Sequence, residues 1–288
     1  MDELDFSSAT PRPAAPGAPP PSAAAVYKPA VALEFFRAAG QLEEIPGGKT
    51  FFQENDKPGG FFSGGSRMYL LLDGDIGLMA KGRFVGIIKP GDIFGEIAML
   101  ARAPRTATAM AKTLCKVLSL DEKQFTMALQ KKPEFALMMM AIMVQRLRQA
   151  VARRAEAGGG APAAVAEREA VFGKKELAAF AQEINPVRME KGKVIMKAGD
   201  TGVFMYVVHS GKVAISIGDK VVERVGPGSV FGEMALVDNA ARAAGAVAET
   251  DSELIMVKRA DFLTLIQSKP QFGSSILRTI AERIRAAS

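Results

Sequence analysis

Short apolar runs separated by glycine and aspartate turns alternate along the chain between residues 49 and 119. Each run has the length of a typical strand, and many such runs at this spacing are typical of a β-barrel or a β-sandwich. The predicted strands are Thr50–Gln53, Met68–Leu72, Ile76–Ala80, Phe84–Ile88, Thr106–Ala111 and Lys116–Leu120. The first half of the chain is therefore predicted to be mainly β.

Helical patterns flank and interrupt these strands. Val31–Ala39 predicts a short helix before them, and Asp121 is the expected N-cap of a helix after them. Pro133 then begins a second, long helix that reaches about Glu156. Gly95–Leu100 lacks the alternation of a strand and is predicted to be a single helical turn opened by its glycine.

The same order of elements is predicted again in the second half. The expected elements are a helix over Ala164–Gln182, strands between Arg188 and Val257, and helices over Arg259–Gln267 and Pro270–Ala287. The fold class is therefore mainly β with flanking helices (α+β).

One segment occurs twice in the chain. Phe94–Ala109 and Phe231–Ala246 both contain Phe-Gly-Glu, an apolar run, and an arginine at the same distance after the glutamate. The same interval separates other matched residues, namely Met68-Tyr69 and Met205-Tyr206, Pro133 and Pro270, and Arg146-x-Arg148 and Arg283-x-Arg285. A register kept over this length indicates a duplicated domain, and the chain is long enough for two.

The duplication sets the expected domain boundaries. Residues 1–27 are a disordered tail rich in proline and alanine, and residues 28–156 are the first domain with its long C-terminal helix. Residues 157–163 are a linker, and residues 164–288 are the second domain. An insertion within residues 57–67 carries Phe61 and Phe62, which either belong to a tolerated hairpin loop or contact a partner or cover the site.

Composition narrows the classes of function. The net charge is +6, but Lys and Arg are spread along the chain, so nucleic acid is not an expected partner. The single cysteine, Cys115, excludes an intramolecular disulfide and is typical of a reducing compartment, which predicts a cytoplasmic protein. The longest apolar run, Phe135–Val144, is shorter than the roughly 20 residues that span a bilayer. The N-terminus has no signal-peptide pattern.

No motif in the sequence indicates a catalytic site or a metal site. His209 is the only histidine, and no motif places a serine or cysteine beside it. One histidine and one cysteine provide no ligand cluster for a metal. We therefore expect no catalytic residue, no metal and no cofactor, and the chain is not expected to be an enzyme.

The repeated segment combines three groups that suit a phosphate joined to a sugar. A glycine that opens a helical turn lets the first backbone N–H groups face an anion. An arginine nearby donates two N–H groups to phosphate oxygens, whereas an ionised glutamate only accepts and suits a ribose hydroxyl. The alternative is a purely structural ion pair between the arginine and the glutamate.

Phe-Gly-Glu-[Ile/Met]-Ala-[Met/Leu]-[Leu/Val]-x4-Arg-[Thr/Ala]-Ala resembles the phosphate-binding cassette of cyclic nucleotide-binding domains. The resemblance covers about residues 30–288 and implies two jelly-roll β-barrels in tandem, each flanked by helices. It implies that Arg105 and Arg242 bind the cyclic phosphate and that Glu96 and Glu233 accept from the ribose 2′-hydroxyl. The implied ligand is cAMP or cGMP.

The resemblance also implies a complete set of ligand-binding residues. These are Phe94, Gly95, Glu96, Ile97, Ala98, Arg105 and Thr106 in the first domain, and Gly232, Glu233, Met234, Ala235, Arg242 and Ala243 in the second. Thr106 is similar to members that offer a hydroxyl to the phosphate or to guanine, and Ala243 resembles cAMP-type sites.

The sequence also departs from the family pattern. Ala241 stands where the first copy has Pro104, and Gly245 where it has Thr108, which predicts a less rigid approach to Arg242. No aromatic residue follows Phe135 or Phe272 in the long helices to cover the base. The candidates for that cover are Phe172, Phe180, the Phe61–Phe62 loop or an aliphatic side chain. No helix-turn-helix pattern follows the second copy, which argues against a DNA-associated regulator.

The leading hypothesis is a non-catalytic receptor that binds a cyclic nucleotide in one or both domains and signals to an unidentified protein partner. A cyclic dinucleotide receptor would need a second phosphate clamp, for which the glycine-rich loop within residues 57–67 and Arg67 are the candidates. A scaffold with vestigial sites is the third possibility. The methionine-rich helix either packs beneath the second barrel, forms a homodimer seam over residues 133–154, or offers a groove to a partner.

Overall fold

A computed structural model describes residues 27–58, 66–156, 166–237 and 241–287 of the chain. Most of the predicted tail (1–27), the predicted linker (157–163) and most of the 57–67 insertion, with Phe61 and Phe62, lie outside the described residues. No helix among the described residues is long and apolar enough to cross a membrane.

The first unit contains eight strands and four helices among its described residues. The strands are β1 (Gln41–Ile45), β2 (Thr50–Phe52), β3 (Arg67–Asp73), β4 (Ile76–Ala80), β5 (Arg83–Ile88), β6 (Ile93–Phe94), β7 (Thr108–Ala111) and β8 (Cys115–Asp121). The helices are α1 (Pro29–Ala39), α2 (Glu96–Leu100), α3 (Glu122–Lys131) and α4 (Glu134–Glu156).

The second unit repeats this order with one additional strand, β9, at its start. The strands are β9 (Ala166–Arg168), β10 (Val187–Met189), β11 (Val194–Met196), β12 (Phe204–Ser210), β13 (Val213–Ile217), β14 (Lys220–Val225), β15 (Val230–Phe231), β16 (Gly245–Ala248) and β17 (Ser252–Lys258). The helices are α5 (Lys174–Glu183), a 3₁₀ helix (Glu233–Leu236), α6 (Arg259–Ser268) and α7 (Pro270–Ala287).

Two sheets pack face to face in each unit, and all their strand pairs are antiparallel except β9 with β14. The first unit pairs its strands in the orders β1-β8-β3-β6 and β2-β7-β4-β5, and the second in the orders β10-β17-β12-β15 and β11-β16-β13-β14-β9. The hydrogen bonds between the described strands therefore form two separate sheets in each unit, and they do not close into one continuous barrel. This arrangement confirms the predicted mainly β fold with two jelly-roll-like units.

Alternation along the central strands places two cores on opposite faces of one sheet. In β3, Tyr69 and Leu71 point into the core between the two sheets, whereas Met68 and Leu70 point towards the helices. Successive side chains of a strand face opposite sides, so a strand covered on both faces is apolar throughout. This explains why β3 is an unbroken apolar run in the sequence.

One part of the predicted pattern is wrong. The helix expected over Ala164–Gln182 is instead strand β9 followed by a turn, and helix α5 begins only at Lys174. Strand β9 pairs in parallel with the edge strand β14, a long-range partner that a local pattern does not reveal.

Two strands of the first unit were missed. Strand β1 carries two glutamates, which obscure its pattern, and strand β6 is only two residues long.

The long helices α4 and α7 pack against each other and join the two units through one core. The apolar core on their side contains residues of both units, including Met140 and Met143 of α4 and Leu277 and Ile280 of α7. The helix α4 is therefore covered by the second unit within the same chain. Its methionines are buried without a second copy of the protein, so a homodimer seam is not needed to explain them.

Candidate functional site

The first cassette, residues 94–106, begins with a strained turn that only glycine adopts easily. Gly95 has φ +74° and precedes α2. A Cβ atom at this position would lie 2.9 Å from the Nη1 atom of Arg105 and 3.0 Å from the carbonyl oxygen of Arg67. Glycine is therefore required both for the backbone conformation and for the close approach of the guanidinium.

Arg105 is held in place by backbone carbonyls and an aromatic ring. Its Nη1 atom donates to the carbonyl oxygen of Gly95 and its Nη2 atom to that of Arg67, each at 2.8 Å. The Cζ atom lies 4.1 Å from the ring centre of Phe52. These two hydrogen bonds use two of the five N–H donors of a guanidinium, which leaves donors for an anion. Burial lowers the pKa of Arg105, but an arginine remains charged at neutral pH.

Glu96 is buried and paired with an arginine from outside the cassette. The carboxylate is 4 % exposed and accepts from Arg146 on helix α4. A charge this deeply buried is stable only with such a partner. The sequence showed Arg146 as part of the repeat, but its role was missed because its partner lies far away in the chain.

All seven residues predicted for the first site line one cavity of about 630 Å³. Phe94 to Ala98 form one wall, and Arg105 and Thr106 form another. The apolar lining includes Met139 and Ile142 of helix α4 as well as Phe52, Leu78 and Ile88 from the strands. The cavity thus places Arg105, Arg146 and Glu96 beside an apolar surface.

Tyr27 also lines this cavity and was missed by sequence reasoning. Its hydroxyl donates to the carbonyl oxygen of Gly91, just before the cassette. Burial, with a smaller contribution from the charge of Asp92, raises the pKa of Tyr27 to about 12, so the phenol is neutral at physiological pH. The residue was assigned to the tail because the sequence before it is rich in proline and alanine.

Three of the candidates named from sequence lie outside this cavity. Phe172 and Phe180 pack with Phe272 in the helical core of the second unit, so neither covers a base. The side chain of Arg67 points to Gln41, Glu43 and Ser119 and does not line the cavity. Among the candidates named from sequence, aliphatic side chains therefore contribute to the described apolar lining.

The second cassette, residues 231–243, repeats the geometry around its arginine. Gly232 has φ +72° and precedes the 3₁₀ helix. The Nη1 atom of Arg242 donates to the carbonyl oxygen of Gly232 at 2.9 Å, and its Nη2 atom to that of Phe204 at 2.7 Å. The departures at Ala241 and Gly245 thus leave both contacts intact. Met234 and Ala235 are half-buried on the 3₁₀ helix, and Ala243 is exposed.

Glu233 is more heavily paired than its counterpart Glu96. The carboxylate is 4 % exposed, and the Nη1 atom of Arg283 on helix α7 donates to it at 2.6 Å. Burial by itself raises the pKa of Glu233, but the charges of Arg283 and Arg168 outweigh burial and hold the pKa below its usual range. Arg283 corresponds to Arg146 in the repeat, so each cassette glutamate is paired with the long helix of its own unit.

The ends of the long helices also contact the opposite cassettes. The Nη1 atom of Arg285 donates to the carbonyl oxygen of Pro104 at 2.7 Å, next to Arg105. The Nη2 atom of Arg148 lies 3.7 Å from the sulfur of Met234 in the second cassette. The pairs Arg146/Arg148 and Arg283/Arg285 therefore make corresponding contacts in the two units.

Comparison with known proteins agrees with this geometry. The family model described as cyclic nucleotide-binding domain matches residues 42–132 and 186–269, which together make up more than half of the chain. The chain therefore belongs to the cyclic nucleotide-binding domain family and contains two such domains.

Two curated relatives illustrate the extent of the likeness. The cyclic AMP receptor protein of Thermus thermophilus is 39% identical over 102 residues, which cover 34% of this chain and 47% of the relative. The cAMP-dependent protein kinase regulatory subunit of Eremothecium gossypii is 41% identical over 80 residues, which cover 28% of this chain and 18% of the relative. The chain thus spans less than half the length of either relative.

Two solved structures are similar to parts of the fold. The Thermus thermophilus catabolite activator protein is 34% identical and has a TM-score of 0.36, with 40% of this chain and 57% of that chain covered. The regulatory domain of Toxoplasma gondii PKA with cAMP is 22% identical and has a TM-score of 0.31, with 83% and 85% covered. TM-scores of this size add nothing to the family assignment.

Proposed function

We propose that this chain is a non-catalytic cytoplasmic receptor that binds cAMP or cGMP and passes a conformational change to a protein partner. The observation that supports this best is the first cavity. It combines a paired glutamate, a buried arginine with donors to spare and an aliphatic wall within about 630 Å³. Small-molecule sites typically have volumes of about 300–1,000 Å³ and a few converging polar groups.

In this proposal, each residue type has a separate task. Arg105 donates to two oxygens of the cyclic phosphate, while N–H groups at the start of α2 face the same anion. Glu96 accepts from the ribose 2′-hydroxyl, and Met139 and Ile142 lie against the base. Thr106, exposed at the rim of the cavity, offers a hydroxyl to the phosphate or to guanine.

The signal in this proposal leaves the site through helix α4. Arg146 on this helix is paired with Glu96, so a ligand that engages the glutamate changes the attachment of the helix to the cassette. Helix α4 packs on α7, which reaches back to Pro104 through Arg285. The nucleotide shifts the position of these helices only if it binds one arrangement more tightly than the other. The partner protein reads that position.

Isothermal titration with cAMP, cGMP and a cyclic dinucleotide tests the proposal. The variants are Arg105→Ala and Arg242→Ala, and the control is Arg188→Ala, which removes only an exposed pair with Asp251. Loss of a buried charged partner costs about 2–5 kcal/mol, so Arg105→Ala should weaken binding at the first site by about 30-fold or more.

The outcome also separates the alternatives. Binding of cAMP or cGMP that depends on Arg105 supports the receptor, and the tighter ligand identifies the base. Preference for the cyclic dinucleotide would replace the proposed ligand. Absence of binding by all three ligands at sub-millimolar concentration would contradict the receptor and favour a scaffold with vestigial sites.

A further inference from the structure

Strand β9 adds a segment of the connection between the units to the second sheet. It pairs in parallel with β14, with Glu223 opposite Ala166 and Val225 opposite Arg168. The attachment continues beyond the strand, because the backbone N–H groups of Val171 and Phe172 both donate to the carbonyl oxygen of Gly228. The connection is thus held along the edge of the second unit beside its cassette.

Arg168 is the side chain that this strand places inside the second unit. Its Nε atom donates to Glu223 at 2.7 Å, its Nη2 atom donates to the same carboxylate, and its Nη1 atom donates to the carbonyl oxygen of Val230. The side chain is only 9% exposed. Its charge also acts on the buried Glu233.

The repeat shows which part of the second unit Arg168 occupies. Val230 and Glu233 correspond to Ile93 and Glu96, both of which line the nucleotide cavity of the first unit. Arg168 therefore lies against the wall that would face a nucleotide in the second unit. Among the described residues of the first unit, β5 is an edge strand with no neighbour in the position of β9.

We propose that β9 is an internal occupant of the second site and that Arg168 competes with a nucleotide for the wall at Val230. This inference rests on the proposed function, because it assumes that the first site binds a cyclic nucleotide. The second site then opens only when β9 leaves its place on β14. Among the described residues, no strand covers the first cavity in this way.

An ion pair stabilises this closed state. Arg168 is paired with Glu223, just as Arg283 is paired with Glu233. Removing one member of a buried ion pair leaves the charge of the other unpaired. A site that is open only in a small fraction of molecules binds with an affinity reduced by that fraction. The second site should therefore bind a nucleotide more weakly than an open site with the same arginine and glutamate.

Titration of Arg168→Ala and Arg168→Gln with cAMP and with cGMP tests the proposal. The wild-type chain should bind one nucleotide tightly. Each variant should bind a second, with the affinity of that site increased by up to about tenfold if the closed state holds nine molecules in ten. Adding Arg242→Ala should remove the second event again. Arg188→Ala, which removes an exposed pair with Asp251, is the matched control.

Two results would overturn the proposal. In the first, the variants fold like the wild type but bind only one nucleotide. In the second, the wild type binds two nucleotides and the variants bind the second one more weakly. The latter result would make Arg168 a contact to the ligand instead of its competitor.

A second measurement needs no nucleotide and separates this inference from the proposed function. Hydrogen exchange of the nucleotide-free chain reports the pairing of β9 with β14. Arg168→Ala should speed exchange at residues 221–225, and Arg188→Ala should not. If no nucleotide binds any variant, the proposed function fails, but the hydrogen-exchange rates still show whether Arg168 holds β9 on β14. Exchange rates in Arg168→Ala equal to those of the wild type would contradict the proposal that β9 is held in place by Arg168.

Discussion

Glycine and arginine form the central pair of each cassette at the scale of single residues. Gly95 and Gly232 adopt positive φ angles, and the guanidinium of Arg105 or Arg242 approaches each glycine where a side chain would lie. The arginine then donates to the carbonyl oxygen of the same glycine. The glycine is thus part of the proposed anion site, and its replacement should affect binding as well as folding.

Gly95→Ala tests this pairing against Gly48→Ala. Both positions have positive φ, but a Cβ at Gly48 meets no atom within 4 Å, whereas one at Gly95 meets Arg105. Each variant should lose about 1–2 kcal/mol of stability from the left-handed backbone. Only Gly95→Ala should also displace Arg105 and weaken nucleotide binding. Urea unfolding and titration measure the two effects, and equal affinities of the two variants would contradict the role given to Gly95.

Glu233 should make the stability of the chain depend on acid pH. Its folded-state pKa lies below the ordinary value of a glutamate, so its ionisation stabilises the fold above the unfolded pKa of about 4.3. That contribution is lost as the pH falls through the folded-state pKa. Glu233→Gln should therefore flatten the decrease in the free energy of unfolding below about pH 4.5, as measured by urea titration. The exposed Glu190→Gln should leave that decrease unchanged.

Helix starts show how far a local pattern determines an element. Asp121 accepts from the N–H of Gln124 at 2.8 Å, and Gln124 accepts in return from the N–H of Asp121 at 2.9 Å. The predicted N-cap is thus confirmed, with a capping box. At the equivalent start of α6, Lys258 has no side-chain acceptor, and only Asp261 reaches back to its N–H at 3.0 Å.

Removal of the N-cap gives a prediction at this scale. Asp121→Ala should lower the free energy of unfolding by about 1 kcal/mol, because the N–H of Gln124 loses its acceptor. Lys258→Ala at the matched position should cost clearly less. Chemical unfolding of the two variants checks this, and equal losses would show that the cap of α3 contributes nothing specific.

Helices α4 and α7 connect the two cassettes at the scale of the whole molecule. They share one core, and the Nη2 atom of Arg278 on α7 lies 2.9 Å from the Glu122 carboxylate of the first unit. Arg285 on the same helix holds the carbonyl oxygen of Pro104. The packed helices thus join the two cassettes by direct contacts.

Arg285→Ala tests this route. Loss of the hydrogen bond to Pro104 frees the segment that carries Arg105, so nucleotide binding at the first site should weaken by about 0.5–2 kcal/mol. Arg224→Ala, whose partner Glu249 is remote from the first unit, should leave that affinity unchanged. Titration of both variants measures the difference. Equal affinities of Arg285→Ala and the wild type would show that α7 does not support the first cassette.

The sequence by itself determined the local and the repeated features of this protein. Apolar alternation, positive-φ glycines and an aspartate before a helical period depend on neighbouring residues, so strands such as β4 and the start of α3 were predicted correctly. Duplication of the Phe-Gly-Glu segment showed two similar domains and their family. The grouping of Phe94–Ala98 with Arg105 and Thr106 around one cavity also agrees with their closeness in the chain.

Only the tertiary structure decided which distant residues complete the sites. Arg146 is 50 residues from Glu96, and Tyr27 is 64 residues from Gly91, so neither contact leaves a mark in a local pattern. Arg168 belongs to a segment that resembled a helix, and it became a strand because the free edge of β14 supplied hydrogen-bond partners. Burial of the methionines of α4 by α7 is likewise a long-range choice. Local sequence patterns reflect interactions between residues that are close in the chain, whereas these contacts depend on how distant segments pack.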